Sequence, residues 1–265
     1  MKHLARLELE RLESLSALLA GADDVDEAVH RTRTGIKRLR AFLRLARRSI
    51  GTSTYRTENA ALRDTARLLA AGRDAFVVIE TARGVGADDV ILTALAEEHA
   101  RMMDGFERTT RTQVLDRIGA ITTRWQYLMW QGPGAKSVGS GLERTYRKGL
   151  VEFETARSAS TERAFHGWRR RVKYLRYQLE ALDAPESAVR PFRLLGDELG
   201  HEHDQTVLIA VSSEHPGDAG YTDLARRSLL RRLELRSAAL HLGGELFSHQ
   251  PESFRHEVEA VVGLR

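Results

Sequence analysis

Residues 29–46 (VHRTRTGIKRLRAFLRLA) and residues 165–182 (FHGWRRRVKYLRYQLEAL) are two versions of one pattern, and this repetition limits the fold more than any other feature. At a constant offset of 136, His30 matches His166, Arg33 matches Arg169, Lys37 matches Lys173 and Arg40 matches Arg176. Val29, Ile36, Leu39 and Leu43 likewise match Phe165, Val172, Leu175 and Leu179. At about 100° per residue, Val29, Ile36, Leu39, Leu43 and Ala46 form one helical stripe. His30, Arg33, Lys37, Arg40 and Arg44 form a second, turned by about 110° and running for roughly 20 Å at the helical rise. The first stripe must be buried. The second is a row of like charges at i,i+3 and i,i+4 spacing, which repel one another, and a polyanion lying along the row would repay that cost. The second copy departs at its end, where Glu180 stands at the position of Arg44.

Punctuation supports a helical chain throughout. Helices are expected over about 2–20, 25–49, 56–83, 88–131 with one interruption, 138–157, 162–183, 187–212, 219–247 and 253–263. The breaks fall at Gly21–Asp24, Gly51–Ser53, Gly84–Gly86, Gln131–Gly134, Ala184–Pro185 and His215–Gly217. The apolar runs 76–79 and 207–211 have no partner strands elsewhere, so helix is expected there too. A weaker match, Leu69–Asp74 with Leu199–Asp204, follows at an offset of 130, so the chain reads as a duplicated helical unit. Repeat 1 covers about 1–131, a linker about 132–139, and repeat 2 about 140–265.

Charge and composition narrow the chemistry. Of 41 basic residues, 36 are Arg and 5 are Lys, and the net charge is +4. Arg offers phosphate a planar fork of donors that stays charged at any physiological pH. With no cysteine, disulfides, thiolate catalysis and cysteine-bound zinc are ruled out. No apolar run approaches the ~20 residues of a membrane span, and no signal-peptide segment is recognised, so no membrane partner and a cytoplasmic location are expected.

Other constellations read as structural. His201 and His203 are two apart on a helix and point about 200° from each other, so no metal site is expected. Asp74 and Asp204 recur at equivalent places, either as anchors for basic side chains or as helix-packing contacts. Gly132–Ser137 lacks the spacing of a phosphate loop and reads as the linker. Trp125, Tyr127, Met129, Trp130 and Trp168 are expected in the core. The basic run Arg226, Arg227, Arg231, Arg232, Arg236 is either a solvated face or a further wall of the binding surface.

The motifs His30-x-x-Arg33-x-x-x-Lys37-Arg38-Leu39-Arg40 and His166-x-x-Arg169-x-x-x-Lys173-Tyr174-Leu175-Arg176 resemble those of the CHAD family. Gly141–Lys148, with Arg144 and Arg147, and Leu199–Asp204 fit the same family, so the resemblance spans about residues 2–247. It implies an all-α fold of two tandem four-helix bundles related by pseudo-twofold symmetry, forming a single CHAD domain over 1–265. It also implies a basic channel that binds inorganic polyphosphate without catalysis or cofactor, and association with polyphosphate granules. Members often follow a triphosphate-tunnel domain; a stand-alone member is expected here, since no ExExK strand motif is present. The expected polyphosphate-binding residues are His30, Arg33, Lys37, Arg40, Arg44, Arg144, Arg147, His166, Arg169, Lys173 and Arg176. His30 and His166, with ordinary pKa values near 6.5, are expected to add charge as pH falls toward 6.

Three rivals differ in what they need. A nucleic-acid binder needs aromatic side chains among the cations for base stacking, and only Tyr174 and Tyr177 lie near the second block. An enzyme processing polyphosphate or nucleotides needs acidic metal ligands or a nucleophile beside the cations. A scaffold without ligand leaves the repeated like-charge stripe without a reason.

Overall fold

A computed structural model describes residues 2–128 and 134–264, and for Lys2 and residues 71–73 only the backbone. The described residues form helices α1 (Lys2–Ala20), α2 (Val25–Ile50), α3 (Thr52–Leu68), α4 (Ala70–Gly84), α5 (Asp89–Gly105), a π-helical turn (Phe106–Thr110) and α6 (Arg111–Leu128). They continue with α7 (Ala135–Ala159), α8 (Glu162–Ala181), α9 (Glu186–Ser213), α10 (Ala219–Leu246) and α11 (Pro251–Val261), and no strand occurs among them. Helix starts are fixed by side-chain caps. Asp24, Asp88, Thr161 and Asp218 each accept a hydrogen bond from the backbone N–H three residues on, at 2.9–3.2 Å.

Two differences from the expected elements are informative. The helix expected over 56–83 breaks at Leu69, where neither Gly nor Pro marks the sequence. The carbonyl of Leu69 is there taken by the Arg33 guanidinium at 3.1 Å, a tertiary partner that no local pattern announces. Helix α7 begins at Ala135, inside the stretch expected as linker, because Ser137, Val138, Gly139 and Gly141 all face a neighbour. Residues 132 and 133 of that linker, with Met129 and Trp130, lie outside the described residues.

The apolar stripes define two main cores. Helices α1, α2, α3 and α6 enclose one around Leu12, Ile36, Leu39, Leu43, Ile118 and Trp125. The other lies among α7, α8, α9, α10 and α11, around Tyr146, Phe153, Phe165, Trp168, Leu175 and Phe192. All five residues of the α2 stripe and all four matched residues of α8 are buried. The α4–α5 hairpin builds a third, small cluster with α9 and α10, in which Val78, Ala82 and Ile91 meet Leu208, Tyr221 and Leu224. Trp125 and Trp168 are fully buried as expected, whereas Tyr127 is 80% exposed: its position on α6 points away from the core, and proximity to Trp125 in sequence misleads.

Helices α2, α7 and α8 meet between the two main cores. Ala41 packs on Tyr174 and Tyr177, and buried Gln178 donates to the Ala41 carbonyl (3.2 Å) and to Thr145 Oγ1 (3.1 Å). At Gly141 the α7 backbone comes so close that a Cβ there would sit 2.7 Å from Leu45 Cα. This junction sets the two charged stripes beside each other.

Candidate anion-binding site

The charged stripes of α2 and α8 converge on one cavity of about 360 Å³, whose walls include His30, Arg33 and Lys37 from α2 and Arg169 and Lys173 from α8. Helix α9 closes it with Gly196, Asp197, Gly200, His203 and Asp204, and α4 contributes Asp74 and Val77. Gly200 borders Arg169 there: a Cβ on it would stand 3.9 Å from Arg169 Nη2, in ordinary van der Waals contact.

The acids at the edge hold the arginines in place. Arg33 pairs with Asp74 at 3.3 Å while donating to the Leu69 carbonyl. Asp204 acts on Arg169 and on Lys173 in the favourable sense. The recurrence of both aspartates therefore matches the anchor reading of Asp74 and Asp204. The side chain of Arg73, which pairs with His203 in the second match, lies outside the described set.

Cations dominate the field inside. Burial pushes Lys173 down to about 6, and Arg169 and Lys37 beside it push the same way, against weaker support from Asp204 and Asp197. Arg169 is lowered by its burial. His203 is pushed down to about 3 by burial and by Arg169, His166, Lys173 and Lys37, so it is neutral at pH 7. Its ring centroid lies 5.1 Å from that of His166. His166 is itself lowered by desolvation and by Arg169 and Arg170. That corrects the expectation that His166 gains charge as pH nears 6: burial, and then its cationic neighbours, delay protonation to lower pH.

The remaining expected residues lie elsewhere on α2, α7 and α8. Arg40 donates to Asn59 Oδ1 at 3.2 Å, and Arg44 stacks 3.7 Å over the Tyr174 ring, so both continue the α2 stripe beyond the cavity. Arg144 donates to the Arg44 carbonyl at 3.1 Å. Arg176 is held by Glu180 (2.8 Å) and Asp197 (3.4 Å). Arg147 is exposed and pairs with Glu143 and Glu252, both at 2.7 Å, outside the cavity wall.

The α10 arginines do not line this cavity. Arg236 is buried against Glu202 at 2.8 Å, Arg232 pairs with Glu162 at 2.7 Å, and Arg227 caps the α4 carbonyls of Val85 and Gly86. Arg226 and Arg231 pair with Asp223 and Glu234 on their own helix, each at 2.8 Å. Sequence reasoning missed Gly196, Asp197, Lys148 and Arg171. Gly196 and Asp197 precede the matched block on α9, and Arg171 lies off the α8 stripe; Lys148 follows Arg144 by one helical turn, a spacing that could have found it.

Comparison with known proteins fits this architecture. A family model described as the CHAD domain matches residues 4–213. The structure is similar to the crystal structure of the CHAD domain from the plant Ricinus communis, with a TM-score of 0.60 at 15% identity, covering 100% of this chain and 90% of that one. No curated protein matches the sequence.

Proposed function

The chain belongs to the CHAD domain family, and we propose that it binds inorganic polyphosphate in the α2–α8 cavity and does not transform it. One observation carries this reading: four basic side chains and three histidines from both halves of the chain line one cavity, where burial, and then the neighbouring Arg169 and Lys37, push Lys173 down to about 6. A row of phosphates supplies the missing negative charge at the spacing of the stripe. Arg33, held by Asp74, and Arg169, in the favourable field of Asp204, present guanidinium forks to phosphate oxygens. Lys37 and Lys173 act as point charges. Binding releases the counterions of the polyanion, so affinity falls steeply with salt.

One observation favours an inorganic polyanion over nucleic acid, and a second favours binding over catalysis. Tyr177 is buried between Ala41 and Tyr174, and the Tyr174 ring is covered by Arg44, so neither offers a free face to a base. The carboxylates at the cavity serve the cations: Asp74 holds Arg33 and Asp197 holds Arg176. The setting in which such binding serves the cell is the cytoplasm, on polyphosphate granules.

The test is competition binding at about 150 mM salt. Labelled long-chain polyphosphate is challenged with single-stranded DNA, RNA and pyrophosphate, using wild type and an Arg33→Ala/Lys37→Ala/Arg169→Ala variant. Tight binding that DNA does not displace and that the variant loses is the expected result. Displacement by DNA at equal charge concentration, or an unaffected variant, rejects the reading.

A further inference from the structure

Beyond the cavity, five cations gather on one flank of the α2–α8 crossing. Arg44 and Arg47 prolong the α2 stripe, Arg144 and Lys148 come from α7, and Arg171 comes from α8. Arg47 lies 5.1 Å over the Tyr55 ring, Arg44 stacks on Tyr174, and Arg144 binds the Arg44 carbonyl. The nearby carboxylates are engaged elsewhere or loosely: Glu143 serves Arg147 and Arg255, and Glu152 meets Arg171 at 3.6 Å. Lys148 is lowered by desolvation and then by Arg171, Arg144, Arg47 and Arg44, a sign that all five share one field.

The repeat provides an internal comparison. At the offset of 136 that relates α2 to α8, the positions corresponding to Arg44, Arg47 and Arg171 are Glu180, Asp183 and Gly35. Three cations of one flank thus become two acids and a glycine on the other. Glu180 is in use there, pairing with Arg38 at 3.2 Å and Arg176 at 2.8 Å. The cavity residues show no such reversal, since Arg33, Lys37, Arg169 and Lys173 keep their charge in both copies.

The geometry points to a one-ended anion path: polyphosphate held in the cavity continues only over the α2–α7 flank, where Arg47, Lys148 and Arg171 form a further binding site, while Glu180 and Asp183 stand at the equivalent end of α8. This inference rests on the cavity being an anion site. The stripe from Arg33 to Arg47 spans about 20 Å at 1.5 Å per residue, so a long chain reaches the flank and a triphosphate seated in the cavity does not. Length discrimination therefore resides in the flank.

The experiment compares long-chain polyphosphate with inorganic triphosphate on wild type, Lys148→Ala/Arg171→Ala, and the charge-preserving Lys148→Arg/Arg171→Lys. The alanine pair should lose at least tenfold in long-chain affinity, flatten the log–log salt slope by about 1.4, and leave triphosphate affinity within twofold. The charge-preserving pair should keep long-chain binding. Unchanged long-chain affinity in the alanine pair overturns the inference, and so does an equal loss for both ligands, which makes the flank part of the cavity. If wild type binds neither ligand, the anion reading of the cavity falls as well.

Discussion

Lys173 concentrates the energetics of the site in one side chain. In an unfolded chain its ammonium keeps its proton to about 10.4, whereas in the folded cavity it releases it above about 6. Between those values the unfolded state binds more protons, so the contribution of Lys173 to stability rises with pH from 6 toward 10 and is least favourable below 6. Lys173→Met should therefore raise the melting temperature of the free protein at pH 7 by about 3 °C or more, and lower polyphosphate affinity at least tenfold. A thermal scan with a binding titration checks both; a variant that melts lower contradicts the reading of Lys173 as an amine that folding forces to give up its proton. Arg169, Lys37, Asp204 and Asp197 all face this amine, and the first two outweigh the others. A polyanion reverses that balance, so binding at pH 7.5 should take up close to one proton. Calorimetry in buffers of different ionisation enthalpy measures it, and zero uptake would place the ligand away from Lys173. The identity of the cavity cations was legible in the sequence because their spacing follows the helical period. Their depressed pKa values were not, since those depend on which helices face each other.

At the scale of the helix, boundaries marked by Gly, Pro or a capping Asp or Thr could be read within a few residues. The break at Leu69 could not, because it is stabilised by Arg33, far away in sequence. The reversed reading of Tyr127 has a similar origin: a residue two positions from a buried tryptophan lies on the opposite side of a helix. Close helix approach is the other feature that local pattern conceals. Gly141 lets the α7 backbone lie against Leu45, and that crossing carries Arg144 to the Arg44 carbonyl. Gly141→Ala should force α2 and α7 apart and cost about 1–3 kcal/mol of stability, measured by denaturant unfolding. Long-chain polyphosphate affinity should fall in the same variant as Arg144 and Lys148 move from Arg44. Wild-type stability in Gly141→Ala would mean the contact relaxes without strain.

At the scale of the whole molecule, the matched stripes of α2 and α8, 136 residues apart in sequence, meet at one charged seam. The all-helical fold was plain from the helical period and its punctuation. The third cluster, in which the α4–α5 hairpin packs on α9 and α10, was not, because its apolar residues are few and their partners lie in the other half of the chain. That packing positions Asp74 and Val77 over the α2 stripe, so the cavity takes a wall from each half. Joint action of the two halves is therefore the claim to examine at this scale. The most direct examination is the salt dependence of long-chain polyphosphate binding, measured on wild type and on Arg33→Ala/Lys37→Ala, Arg169→Ala/Lys173→Ala and the fourfold variant. With about 0.7 counterions released per neutralised charge on a single strand, the fourfold variant should lose close to 3 from the log–log slope, with both double variants contributing. A slope that survives the fourfold change, or that responds to only one half, would show that the two stripes do not hold a polyanion between them.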